Sequence, residues 1–137
     1  GFGLSMDIFR KEIEWVKKFS DWWDLILPDA INIIDFMEIY ENFYEVSKWI
    51  SKIFNRLDKG VALIALQKKD SMTDDGRGGA FTREKARIYL SMNYNELKIT
   101  KAKNWASHIN PNGMKINFEI EHGISFKNIN NWRQDNE

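Results

Sequence analysis

Two short apolar runs, INIIDFM at Ile31–Met37 and VALIAL at Val61–Leu66, bracket a segment of helical periodicity. Both runs are rich in branched side chains and apolar at successive positions, which predicts strands buried between layers of helix. The segment between them, about Glu41 to Lys59, places Phe43, Val46, Ile50, Ile53, Phe54 and Leu57 on one stripe, with Lys48, Lys52 and Arg56 opposite. Gly60 stands where a helix C′ stop is expected. A helix between two such strands predicts a parallel β-α-β crossover, with Asp35 near the end of the first strand and Gln67 just past the second. Upstream, Ser5 suits the N-cap of another helix carrying Ile8, Phe9, Ile13, Val16 and Phe19. The DWWDLILP stretch from Asp21 fits a helical extension or a turn and short strand, and Pro28 ends any helix before it.

After Gln67 the pattern changes. Lys68–Lys85 (KKDSMTDDGRGGAFTREK) is polar, glycine-rich and long for a connection, a length associated with function or disorder. Beyond it, Ala86–Met92, Glu96–Lys103 and Met114–Ile120 alternate apolar and polar positions, as half-exposed strands do. Turns fall at Asn93-Tyr94-Asn95 and Asn110-Pro111-Asn112-Gly113, and a last short strand fits Ile124–Ile129. The expected fold is α/β: a parallel β-α-β unit followed by antiparallel strands and hairpins. It makes one domain over residues 1–129, with a flexible polar tail at 130–137.

Composition narrows the classes of function. At 137 residues, acidic and basic side chains cancel at 20 each, so no global field draws the chain to nucleic acid or membrane. Any such binding must come from a local patch. The lack of cysteine removes disulfides and thiolate metal sites and fits a reducing, cytoplasmic setting. No apolar run reaches the length of a membrane span, and no secretory leader is evident.

The candidate chemistry sits at strand ends. Asp35, a rigidly held carboxylate after Ile31, Ile33 and Ile34, suits water-mediated contact with Mg²⁺ beside phosphates; it equally suits a cap on the following helix. Glu38 can orient water or sit in a first helical turn. Gln67 can sense a phosphate and pass its state into the loop behind it, or simply end a strand. Lys68, Lys69, Arg77 and Arg83 around GRGG suit phosphate contacts, although Asp70, Asp74 and Asp75 dilute their charge. Lys101 and Lys103 share one face of a strand by two-residue spacing, and Lys98 faces the other way. They read as anion contacts or as a solvated edge that discourages strand pairing. His108 and His122 have no metal-ligand spacing, and no G-x-x-x-x-G-K-[ST] loop occurs.

Taken in order, these segments resemble the C-terminal half of a RecA-type ATPase core, nearest the DnaB-like replicative-helicase branch, over about Ala30 to Ile129. INIIDFMEI resembles the Walker B strand and GVALIALQK the next core strand. ITKAKN resembles the segment that acts on a neighbouring subunit, and NPNG with KINFEI and GISF resembles the closing hairpin. The resemblance implies a partial RecA-like core with Asp35 as the magnesium-associated acid and Gln67 as the switch glutamine. It implies Lys101 and Lys103 as fingers reaching the next subunit's ATP, and Lys68, Lys69, Arg77 and Arg83 in a loop facing single-stranded DNA. Many helicases carry arginine where Lys103 stands, and lysine lacks the planar two-pronged contact. The family's phosphate-binding loop and catalytic glutamate would precede this segment. The chain is therefore expected to be a fragment of an ATP- and Mg²⁺-dependent hexameric ring, inactive alone, binding neither ligand tightly and prone to self-association. The alternative expectation is a non-catalytic nucleic-acid- or protein-binding module. A small Mg²⁺ hydrolase built on Asp35 and Glu38 would lack a second convergent acid cluster.

Overall fold

The computed structural model describes Val16, residues 21–37, Asn42 and residues 45–134. Within these the chain is mixed α/β. A parallel pair is formed by β1 (Ile31–Met37) and β2 (Val61–Leu66), joined through one helix, α1 (Val46–Arg56). A four-stranded antiparallel meander follows in the order β3 (Ile88–Asn93), β4 (Glu96–Ala102), β5 (Lys115–Glu121) and β6 (Ser125–Asn128). The expected helix from Ser5 and the position of Glu38 lie outside the described residues.

The periodicity of α1 explains the main core. Val46, Ile50 and Ile53 recur every three or four residues and bury against Met37 and Ile26. Ile34, Ala62, Ile64 and Leu66 reach the same cluster from the sheet. Burying an aliphatic side chain of this size contributes about 1.5–3 kcal/mol. DWWDLILP resolves into a 3-10 turn at Trp22–Leu25, where Trp22 meets Trp49 edge to face at 5.2 Å and Lys52 lies 3.7 Å from the centre of the Trp23 ring. Arg56 pairs with Asp24 at 2.9 Å, tying the turn to the end of the helix.

α1 is shorter than the expected Glu41–Lys59, and Gly60 is not its stop: the helix ends at Arg56 with Leu57 already extended. Gly60 is required for a different reason. A Cβ there would sit 2.5 Å from the Ala30 carbonyl oxygen and 2.6 Å from that of Pro28. Its amide donates to Pro28 O at 2.8 Å, and the Asn32 side chain bonds Leu27 and Ala30 from the other side, so the start of both strands is stapled.

Among the described residues the parallel pair is covered on one face. Ile31 is 74% exposed and Ile33 70%, and Val61 and Leu63 are at least half exposed beside them. Among the described residues α1 packs against the opposite face, and the helix expected from Ser5, the candidate for a second layer, lies outside them. Consecutive apolar residues here make an open apolar face.

Burial alternates in part of the antiparallel sheet, along β3 and the first half of β5, whereas β4 is half-buried throughout and β6 exposed. Met92, Leu97 and Ile116 stand opposite one another in register, and Phe118 and Phe126 stack at 5.1 Å. The polar tail does not hang free at its start. Arg133 pairs with Lys115 through two backbone hydrogen bonds, and its guanidinium donates to Asn117 Oδ1 at 2.7 Å. Asn130 exchanges hydrogen bonds with Asn117, so residues 130–134 dock on β5.

Candidate functional site

Parallel pairing carries Asp35 and Gln67 to the same end of the two-stranded sheet. The register runs Ile34 to Ile64 and then Met37 to Leu66, so β1 holds one residue more than β2 across this step. Ile34 and Met37 both point into the core, and the extra residue leaves Asp35 and Phe36 both outward. Asp35 is thus an exposed carboxylate on the open side of the sheet. Among the described residues it has no hydrogen-bond or ion-pair partner, and no cluster of three potential metal ligands occurs.

Gln67 is exposed as well, but its backbone is held. The Arg77 amide donates to Gln67 O at 2.8 Å, and Lys68 pairs with Gly76 in an antiparallel bridge. The glutamine expected to pass a signal into the loop therefore touches the GRGG segment directly. Gly76 allows this approach: a Cβ there would lie 2.8 Å from Leu66 Cβ.

Lys68–Lys85 is docked rather than structureless. It lies over the polar face of β3 and β4, and Gly79–Arg83 forms a 3-10 turn within it. Tyr89 is the central fastener. Its hydroxyl accepts from the Gly76 amide at 2.8 Å and lies 3.0 Å from the hydroxyl of buried Thr82. Lys68 Nζ donates to Ser91 Oγ at 3.0 Å and Asn93 Oδ1 at 2.6 Å. Arg83 grips Asp75 with two nitrogens, Nε at 2.7 Å and Nη2 at 3.2 Å. Of the expected nucleic-acid contacts, Lys68 and Arg83 are thus committed within the fold, and half-buried Arg77 has a partner too, whereas Lys69 is exposed.

A bulge in β4 changes the reading of its lysines. Ile99 opposes Leu90 and Lys101 opposes Tyr89, which leaves Thr100 as the extra residue. Alternation is broken there, so Lys98 and Lys101 reach the loop from the same face. This corrects the placement of Lys98 on the opposite side. Lys98 pairs with Asp74 at 2.6 Å. Burial raises the Asp74 pKa, but Lys98, with Lys68 and Ser91, outweighs it and holds the carboxyl below its usual 3.8. Lys101 donates to the carbonyls of Arg83 and Glu84, and Lys103 donates to Glu84 O at 3.0 Å. Burial, then the charge of Lys103, lowers the Lys101 pKa from 10.5.

Asp74, Asp75, Thr82 and Tyr89 act as partners that the sequence pattern does not mark. The signal was available in part, because the loop carries Asp70 beside Lys68 and Lys69, and Asp74 and Asp75 two or three residues before Arg77. An open hollow of about 340 Å³ between Ile116 and Asn128–Trp132 belongs to the docked tail, on elements other than those bearing Asp35 and Gln67. Compared with models of known families, with curated proteins and with solved structures, the chain has no match. Among the described residues no helix is long and apolar enough to cross a membrane.

Proposed function

We propose that this chain supplies one wall of a RecA-type nucleotide site, of the DnaB-like helicase branch. Asp35 carries the magnesium-associated acid and Gln67 the switch. The observation that carries the reading is the direct bond from the Arg77 amide to Gln67 O, beside the Asp35-bearing strand end. It links a phosphate-sensing position to a basic glycine loop through one hydrogen bond.

The donor set fits half of such a site. One exposed carboxylate suits a Mg²⁺ held through water, and Mg²⁺ bound there with a nucleotide would neutralise phosphate charge. Asp35, on a fixed strand, would hold such an ion through its water. Gln67 reports on the terminal phosphate, while Lys101 and Lys103 approach the nucleotide of a neighbouring subunit. Single-stranded DNA would lie against Lys69 and Arg77. The phosphate cradle is not in this sequence and must come from another segment or chain.

Hydrolysis by the 137-residue chain tests this reading. With ATP and Mg²⁺ the chain should turn over no faster than buffer. Robust hydrolysis that disappears in Asp35→Asn would contradict a half-site and favour a self-sufficient hydrolase.

One observation favours a second reading, a non-catalytic module that binds a protein through apolar contact. Ile31, Ile33, Val61 and Leu63 expose a continuous apolar face, the kind of patch that marks interaction surfaces. Co-purification of a stoichiometric partner lost in Ile33→Lys, with Asp35→Asn silent, would select it.

A further inference from the structure

We propose that the hollow between Ile116 and residues 128–132 is a binding site for a neutral sugar, with one pyranose ring against the Trp132 indole and its hydroxyls paired to the side-chain amides of Asn128 and Asn131. The site shares no residue with the proposed nucleotide wall and does not rest on it.

The way the tail docks builds the hollow. The Ile129 amide donates to Asn117 O at 2.9 Å, and Arg133 and Lys115 exchange two backbone hydrogen bonds. The tail takes four steps between these anchors where β5 takes two, so residues 130–132 bow away from the strand as an arch. Asn130 fixes the arch from within. Its Oδ1 accepts from the Asn117 amide at 2.9 Å, and its Nδ2 donates to Asn117 Oδ1 at 2.8 Å. The hollow measures about 340 Å³, near the lower end of the roughly 300–1,000 Å³ of small-molecule sites. That size suits a single ring.

The lining selects the ligand. Ile116 and Ile129 are apolar, Trp132 brings an amphipathic ring, and Asn128, Asn130 and Asn131 bring carboxamides. Among the described residues, the Asn128 and Asn131 amides and the Trp132 indole N–H make no hydrogen bond within the chain. A carboxamide offers donors and an acceptor side by side. That matches a hydroxyl, which both donates and accepts, or two hydroxyls on neighbouring carbons. A pyranose ring adds a face of C–H groups that packs on an indole. Among the described residues no charged side chain lines the hollow. The cations around it are committed: the Arg133 guanidinium donates to Asn117 Oδ1 at 2.7 Å, Lys115 lies 3.7 Å from Glu96, and Lys127 lies 3.1 Å from Glu121. A phosphorylated ligand would meet no uncommitted cation here, and an amine no lining carboxylate. A neutral, hydroxyl-rich ring with one apolar face is the class that engages the aromatic ring and the amides together.

NMR spectra of the 137-residue chain test the site, titrated with the methyl glycosides of glucose, galactose, mannose and N-acetylglucosamine. Each is taken well past millimolar concentration, because a ligand this small binds an open site at about millimolar strength. At least one glycoside should give saturable shifts confined to the Asn128 and Asn131 side-chain amides, the Trp132 indole and their neighbours. Trp132→Ala should weaken binding about tenfold or more, Trp132→Phe less, and Asn131→Ala about three- to tenfold. The Asn131 side chain makes none of the tail's anchoring bonds, so Asn131→Ala should leave the Lys115 and Asn117 amides unmoved and guards against undocking of the tail. No saturable shift with any of the four glycosides would overturn the proposal. So would equal shifts from glycerol, or binding that survives both Trp132→Ala and Asn131→Ala. A stronger response to adenosine would overturn it in favour of a nucleobase site.

Discussion

Gly76 is the residue at which the loop after β2 turns back onto the strand it left. Its missing side chain lets the backbone touch Leu66 and accept the company of the Tyr89 hydroxyl. Gly76→Ala should therefore destabilise the fold by about 1–3 kcal/mol in urea unfolding, because Leu66 and the backbone must shift. Tyr89→Phe should cost about 1 kcal/mol by removing the acceptor of the Gly76 amide. Asp74 gives a pH signature. Its carboxyl is held below 3.8 in the folded chain, so its contribution is fully present above pH 3.8 and is lost as pH falls through the lower folded value. An acid titration by NMR should show the Asp74–Lys98 contact opening below pH 3.8, and Asp74→Asn should lack that step. At this scale the sequence was only partly legible. Asp35 and Gln67 stand where strand length and polarity place them. The outward pairing of Asp35 with Phe36, and the turn of Lys98 toward the loop, follow from an extra residue in β1 and in β4. A bulge leaves no mark in a two-residue alternation, so these side-chain directions could not be read.

At the scale of elements, α1 carries the parallel unit. Ile53 is 1% exposed at the centre of its stripe. Ile53→Ala should cost about 2–5 kcal/mol in the same unfolding measurement, more than any single loop substitution. Strands β1 to β6 lie within a residue or two of the runs their periodicity predicts. The helix was overestimated because Leu57 continues the apolar stripe while its backbone is already extended. The loop was legible as polar and glycine-rich but not as docked. Its fasteners, Tyr89 with Thr82 and Asp75 with Arg83, join residues 7 or 8 apart through side chains that no local periodicity marks.

For the whole molecule, the open face of the parallel pair is the dominant physical fact. Four large aliphatic side chains face outward beside strand edges with no partner among the described residues. Such surfaces associate, and sedimentation velocity should show a concentration-dependent shift to larger species that Ile33→Lys suppresses. The same open side bears Asp35, so the apolar face and the candidate magnesium acid belong to one surface. The proposed nucleotide-site wall lies on this surface. It is tested most directly by NMR line broadening from Mn²⁺ with ATP, at millimolar concentration, on the 137-residue chain. Mn²⁺ stands in for Mg²⁺ and broadens only nearby amides. Broadening centred on Asp35, Phe36, Gln67 and Lys68 is expected, removed by Asp35→Asn. Broadening spread over the surface acids, or unchanged in Asp35→Asn, would contradict it.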